Sequence, residues 1–259
     1  MRWKAILWFS ILGGILALLV ACSSVRPTGQ TEAEILYKEA QSLTKSGRYL
    51  LAIEKLNNLR SHYPYSFYAT SAELLMGEIL YKQHNYIEAA GAFINFYDDH
   101  PTHPQLPYVL WMIAESFTAQ NPSTSDRDLS TAIEANHFYR ELIKRFPDAE
   151  QVPAAREKMQ KNQQMLQEKA INIADFYYRT DKFGAALYRY QDFLQHFEEQ
   201  KVRQHAILRA VACACRTKQQ VVAAKLLENF KEELTVEQGK KAQEEYDKCR
   251  WAEENKKDK

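Results

Sequence analysis

The chain has 259 residues, 34 basic and 33 acidic side chains, 46% hydrophobic and 26% charged residues, and only 8 glycines and 8 prolines. That balance excludes a collagen-like or low-complexity polymer, and a net charge of +1 lacks the basic excess on which phosphate-backbone binding depends, so nucleic acid is not expected as a partner. A chain of this size buries roughly 70–75% of its extended surface and needs no disulfide or metal staple.

At the N-terminus Arg2 and Lys4 precede an uncharged apolar run from Ala5 to Val20. The run falls short of the ~20 residues of a permanent membrane span and reads as an export signal over residues 1–21. Its end, Leu19-Val20-Ala21-Cys22, resembles the lipobox of bacterial lipoproteins, in which the cysteine is acylated and becomes the mature first residue. That resemblance implies a covalent lipid on Cys22. Ser23 after the cysteine implies sorting to the outer membrane, with the body of the protein facing the periplasm. Several acyl chains, each gaining ~0.8 kcal/mol per buried methylene, make such an anchor firm. Residues 22–31, with Pro27 and Gly29, read as a lipidated tether, and the folded part is expected over 32–252.

A spaced pattern then recurs along the chain. Ala52, Ala89 and Ala135 each lie twelve residues before Pro64, Pro101 and Pro147, and Ala186 lies twelve before Glu198. Four residues after each alanine come Leu56, Phe93, Tyr139 and Tyr190, and seven after come Leu59, Phe96, Leu142 and Phe193. Small, large, large at i, i+4 and i+7 is one face of a helix. Twelve residues upstream stand Ala40, Gly77 and Ala174, with Ala114 in the equivalent place if the third copy carries about nine extra residues. These sit in apolar-periodic stretches at Ile35 to Lys45, Tyr68 to His84, Tyr108 to Ala119 and Ala154 to Thr180. A small residue in each of two helices lets them cross closely, with Tyr49, Tyr86 and Phe183 filling the turn. A weaker fifth copy puts Ala212 and Ala224 in these roles. Thr235 and Gln238 form a capping box for a last charged helix from Val236 to about Trp251, with residues 253–259 read as a frayed tail.

This register resembles the tetratricopeptide repeat, a pair of antiparallel helices with a small residue in each and a proline after the second. The fold class is all-α: a right-handed superhelical solenoid of about five tetratricopeptide-like hairpins plus a C-terminal helix.

Candidate chemistry is sparse. Cys215 aligns with Leu43, Leu80 and Tyr177 and is assigned to the core; whether Cys213 and Cys249 form a disulfide stays open. His100 and His103 punctuate a loop and lack further ligands, so neither metal nor cofactor is expected beyond the lipid on Cys22. No nucleophile-elbow, phosphate-loop, zinc-protease or dinucleotide motif is present, and the chain reads as a non-enzyme. The excess is aromatic, 15 Tyr, 12 Phe and 4 Trp, and it concentrates at Tyr63, Tyr65, Phe67 and Tyr68 around Pro64 and at Phe176, Tyr177 and Tyr178.

The lipobox, the hairpins and three further runs together resemble the BamD/ComL family of outer-membrane β-barrel assembly lipoproteins. The runs are Tyr63-Pro64-Tyr65, then Pro101-Thr102-His103-Pro104 leading into Tyr108-Val109 and Trp111-Met112, then Ser125-Asp126-Arg127-Asp128. The resemblance implies a scaffold whose C-terminal repeats dock on periplasmic domains of the barrel-carrying subunit, beside accessory lipoproteins of the same complex. It implies that the N-terminal repeats receive the C-terminal β-signal of unfolded outer-membrane proteins. Arg189, flanked by Tyr188, aligns with the barrel-subunit contact. Tyr63, Phe176 and Tyr177 align with substrate-recognising aromatics, and Tyr65 and Tyr68 share the first corner. The competing reading is a tetratricopeptide lipoprotein coordinating peptidoglycan and cell-envelope machinery.

Overall fold

The computed structural model describes residues 31–257, with side chains as far as Arg250; the expected signal peptide, Cys22 and the tether up to residue 30 lie outside the described residues. Among the described residues there are eleven α-helices and no strand. In chain order they are α1 (Glu32–Lys45), α2 (Tyr49–His62), α3 (Phe67–Lys82), α4 (Tyr86–Asp99), α5 (Leu106–Thr118), α6 (Ser130–Arg145), α7 (Val152–Arg179), α8 (Phe183–His196), α9 (Gln200–Arg216), α10 (Gln220–Phe230) and α11 (Val236–Lys257). A turn of 3-10 helix, Lys231–Glu233, separates the last two. The chain forms two compact units that divide between Ile79 and Leu80, within α3.

The expected crossing positions are the core. Ala52, Ala89, Ala135 and Ala186 expose no surface, and Ala40, Ala114 and Ala174 match them in the partner helices. Leu56, Phe93, Tyr139 and Tyr190 are equally buried one turn later, each contributing roughly 1.5–3 kcal/mol by leaving water. In the first unit these residues join Leu59, Ala72 and Ile79 in one cluster. In the second unit one cluster forms around Ala114, Tyr139 and Leu142 and another around Ala174, Tyr190, Phe193 and α9. Consecutive helices from α4 to α10 pack on one another, and α11 packs on α9 and α10.

Local chemistry starts and stops the helices where the spacing requires. Pro107 and Pro153 occupy the first turns of α5 and α7, where a missing N–H does no harm. Tyr63, His100 and Phe146, each followed by proline, are C-caps whose N–H groups donate to Leu59, Phe96 and Leu142 carbonyls. The capping box forms: the Thr235 N–H donates to Gln238 Oε1 at 2.9 Å and the Gln238 N–H to Thr235 Oγ1 at 3.2 Å. α11 runs on past Trp251 to Lys257.

The long third connection is pinned rather than loose. Thr131 Oγ1 donates to Asn121 Oδ1 at 2.7 Å, Asn121 Nδ2 to Asn162 Oδ1 at 2.9 Å, and Asn162 Nδ2 to Asn136 Oδ1 at 3.1 Å. Lys169 Nζ donates to the Arg127 carbonyl.

The hairpin turns fix the register of the fifth copy. Gly47, His84, Asp181 and Lys218 all have positive φ, between 57° and 73°. Each closes its first helix with the same pair of bonds: Gly47 N–H to Thr44 O with Arg48 N–H to Leu43 O, and at the last turn Lys218 N–H to Cys215 O with Gln219 N–H to Ala214 O. This is the Schellman termination, with a left-handed residue just past the helix. In the first, second and fourth copies that residue stands five before the crossing alanine of the second helix, so in the fifth the crossing alanine is Ala223. Ala223 is fully buried, while Ala224 and Ala212 are only half-buried. The expected register, with Ala212 and Ala224, is therefore one residue too late, and Val211 takes the small-residue place in α9.

The cysteine assignment changes with it. A one-residue slip rotates a helix by about 100°. Cys213, on the inward face with Ala210 and Ala214, is buried and free. Cys215 is half-buried, turned toward α11, and bridged to Cys249 with the Cα atoms 5.6 Å apart. Cys213 and Cys249 are thus not the pair, and Cys215 is not a simple core residue. Closing a loop of 34 residues stabilises by about 3–4 kcal/mol on chain-entropy reasoning.

Two outcomes follow from this geometry. Lys218→Gly, at an exposed left-handed position, should raise stability by about 0.5–1 kcal/mol in thermal denaturation, because only a side chain penalises that backbone. In denaturant without reductant, alkylation should find one thiol among Cys213, Cys215 and Cys249, and all of them after reduction; all reactive before reduction would exclude the bridge.

Candidate protein-interaction site

On α8 the buried stripe is Ala186, Leu187, Tyr190, Phe193 and Leu194. At 100° per residue, Tyr188 and Arg189 fall outside it. Tyr188 is 65% exposed, and the Arg189 guanidinium lies 5.8 Å from its ring centroid, a contact worth about 0.5–1 kcal/mol that holds the charge in place without neutralising it. Tyr188 borders a groove of about 450 Å³ between α8 and α10. Leu194, Val222, Leu226 and Phe230 give the groove apolar walls, and Asp192 and Lys225 stand among its polar lining residues. The sequence brought out the pair; the groove beside it depends on α10 and was not foreseen.

A second arginine–aromatic cluster was missed. The Arg209 guanidinium is 4.1 Å from the Tyr178 ring centroid, and Arg216 is 5.1 Å from Tyr178 and 4.5 Å from Phe183. Neither arginine has a carboxylate partner among the described residues. The available signal was their spacing, seven residues on α9, which places both on one face.

Beneath this cluster the Tyr190 hydroxyl donates to Asp175 Oδ1, which also lies 2.8 Å from His205 Nε2. The third hairpin repeats the arrangement: Tyr139 donates to Glu115, whose other oxygen accepts from Lys158 Nζ at 3.0 Å. Burial, and then the neighbouring carboxylate, push both phenols well above the ordinary tyrosine range. Burial likewise pushes the Cys213 thiol up to about 11. All three stay protonated at neutral pH, and the two phenols serve as buried donors.

The expected substrate aromatics divide between the two units: Tyr63, Tyr65 and Tyr68 in the first, Phe176 and Tyr177 in the second. Around Pro64, Tyr63 and Tyr68 are half-buried against the core, and Tyr68 also meets Tyr37 at 5.6 Å. Tyr65 is fully exposed, and Phe67, absent from the expected set, is 78% exposed and edge-on to Tyr68 at 5.7 Å. Its signal was position, beside the helix-breaking proline and off the apolar stripe. Phe176 is 55% exposed, whereas Tyr177 packs on the α8–α9 core. The surface the structure offers is therefore Tyr65 and Phe67 in one unit and Phe176 in the other.

Among the described residues no helix is long and apolar enough to cross a membrane, and no cluster of histidine, cysteine and carboxylates is placed to hold a metal. Paired helices with a small residue at each crossing, a repeated turn and outward aromatics define a tetratricopeptide-repeat protein. Residues 29–245 match the YfiO family, described as an outer membrane lipoprotein, and the chain belongs to that family. It is 30% identical over 205 residues to the outer membrane protein assembly factor BamD of Vibrio cholerae, covering 74% of this chain and 84% of that one. The BamD of Neisseria meningitidis serogroup A is 28% identical over 180 residues, 66% of this chain and 67% of that one. The BamD of Neisseria gonorrhoeae is 26% identical over 200 residues, covering 71% and 75%.

The buried phenols make a spectroscopic prediction. Tyr139→Phe and Tyr190→Phe should leave the phenolate absorbance gained between about pH 9 and 11 unchanged while the protein stays folded, because neither hydroxyl ionises there.

Proposed function

We propose that the chain is a non-enzymatic scaffold of the outer-membrane β-barrel assembly complex. In this reading residues 1–21 are removed, Cys22 carries the lipid, 22–31 form the tether, and the repeats over 32–252 hang in the periplasm beneath the outer membrane. Membership of the outer membrane lipoprotein family carries the proposal, since the relatives that match across most of the chain are named as outer membrane protein assembly factors. The physical support is a surface with rigid aromatics outside the core.

Tyr188 and Arg189 are proposed to dock on the periplasmic domains of the barrel-carrying subunit. A fixed guanidinium beside an exposed ring and an apolar groove has the composition of a binding hot spot. Tyr65, with Tyr63 and Tyr68 near it in sequence around Pro64, and, in the second unit by itself, Phe176 with Tyr177, are each proposed to receive the aromatic-ended C-terminal segments of unfolded outer-membrane proteins. Rings with two rotatable bonds give contact area at small entropic cost.

Affinity purification of the lipidated protein from membranes tests this. It should recover a large β-barrel protein with tandem periplasmic domains, and recovery of peptidoglycan enzymes alone would reject the proposal. Arg189→Glu should lower the recovered barrel subunit by about tenfold or more, as expected for reversing a charge at an interface, with helical content unchanged. An unchanged yield removes Arg189 from the interface.

A further inference from the structure

Among the described residues, α11 is the helix that buries least. From Val236 to Arg250 eight of its fifteen residues are charged, and Ala242 is the one that is buried. Tyr246 packs partly on the core of α7 to α10, while Val236 is 80% exposed. Gly239, near the start of the helix, has open space where a Cβ would stand, so it lowers helix propensity and serves no close approach.

Polar contacts add little to this. The Lys241–Glu237 pair, at 2.7 Å, lies within α11, and both side chains are mostly exposed. Toward the neighbouring helices, Gln238 Nε2 donates to Gln204 Oε1 at 3.4 Å, and the Cys249 carbonyl accepts from Gln220 Nε2 at 3.3 Å, both long for hydrogen bonds. A helix of this composition is marginal in water by itself and draws its order from whatever presses it on a neighbour.

The two ends of the docked stretch are fastened by different means. At the N-terminal end Arg203 ties Glu233 of the 3-10 turn to α9 at 2.6 and 2.7 Å, and the Thr235–Gln238 capping box starts the helix. At the other end stands the bridge from Cys249 to Cys215. Seven residues, about 10 Å of helix, separate Ala242 from Cys249, so the bridge is the covalent hold on a stretch whose apolar contact comes from Tyr246. The hairpin beneath has a core of its own, because α9 packs on α8 and on α10 through Ala206, Ala210, Ala214 and Ala223.

Both bridge cysteines are half-buried, whereas Cys213 exposes no surface, so a thiol from outside can reach the bridge while the chain is folded. A protein dithiol is the class of reductant that completes the exchange. One of its thiolates attacks a bridge sulfur and expels the other cysteine, and its second thiol then attacks the mixed disulfide and frees the remaining one. Two electrons and two protons pass to Cys215 and Cys249, and the dithiol becomes a disulfide.

We propose that the Cys215–Cys249 bridge is a redox latch: opened by a protein dithiol, it lets α11 leave α9 and α10 and unfold, while α1 to α10 keep their structure.

Hydrogen exchange on the full mature chain, oxidised and then reduced by reduced thioredoxin in native buffer, tests the proposal. The amides of residues 236–250 should exchange at least about tenfold faster once the bridge is open, with those of α6 to α10 changing by less than about twofold, and reoxidation should restore the slow rate. Cys215→Ser and Cys249→Ser should each show the fast rate without reductant, and the reduced natural chain keeps the test independent of whether either variant folds. Adding Gly239→Ala to Cys249→Ser should slow exchange of residues 236–250 by about fivefold, the helix-propensity difference between the two residues. Equal protection of residues 236–250 in both redox states, loss of protection spreading through α6 to α10, or a bridge that thioredoxin leaves intact while the chain is folded overturns the proposal.

Discussion

Two helices approach to about 8–10 Å only where the side chains between their axes are small. In the first, third and fourth hairpins an alanine from each helix occupies that crossing, and none of the six exposes any surface. Once the axes are that close, the space one turn along is fixed. It is filled by Leu56, Tyr139 and Tyr190, and in the first and fourth hairpins the second helix begins three residues before its alanine. The left-handed turn at Gly47 and Asp181 is a consequence of this phasing, since the chain has to reverse within a few residues and start the next helix on the correct face. His84 and Lys218 accept the same strained backbone without glycine's freedom, which shows how strongly packing dictates the turn.

This constraint also explains what could be read from the sequence. The alanines, the large residues at four and seven places on, and the capping prolines are identities, visible as letters, and the helices fall within a few residues of the expected stretches. In the fifth copy the letters are ambiguous: Ala210, Ala212 and Ala214 alternate in α9, and Ala223 and Ala224 adjoin in α10. Position is decided there by the turn at Lys218, whose residue type gives no hint of its conformation. A single-residue slip was enough to exchange the roles of Cys213 and Cys215. It also hid the bridge to Cys249, which fastens α11 to a helix far from it in sequence.

Surface function was less legible because outward positions obey no period. Tyr188 and Arg189 are found by subtraction, as the residues that Ala186, Leu187 and Tyr190 leave outside. Tyr63, Tyr68 and Tyr177 look the same in the sequence as Tyr65 and Phe67, yet half of each belongs to the core. Tyr178 becomes a stacking platform only because α9 brings Arg209 and Arg216 over it, a juxtaposition between residues some thirty apart.

The chain is electrically balanced overall, so its binding properties depend on which cations remain unneutralised. Arg203 is fully committed: its Nε and Nη2 donate to the two Glu233 oxygens at 2.6 and 2.7 Å, fixing the 3-10 turn to α9 and holding the Glu233 carboxyl below its usual range. Arg189, Arg209 and Arg216 are held by rings instead. An aromatic face restrains a guanidinium but leaves its five donors unspent. At physiological salt, where screening acts over about 8 Å, such charges do not steer a partner from afar. Their donors are available only at contact distance, where a ring has already borne part of the entropic cost of ordering each arginine, so a nearly neutral chain can present local cationic groups without a general attraction for anions.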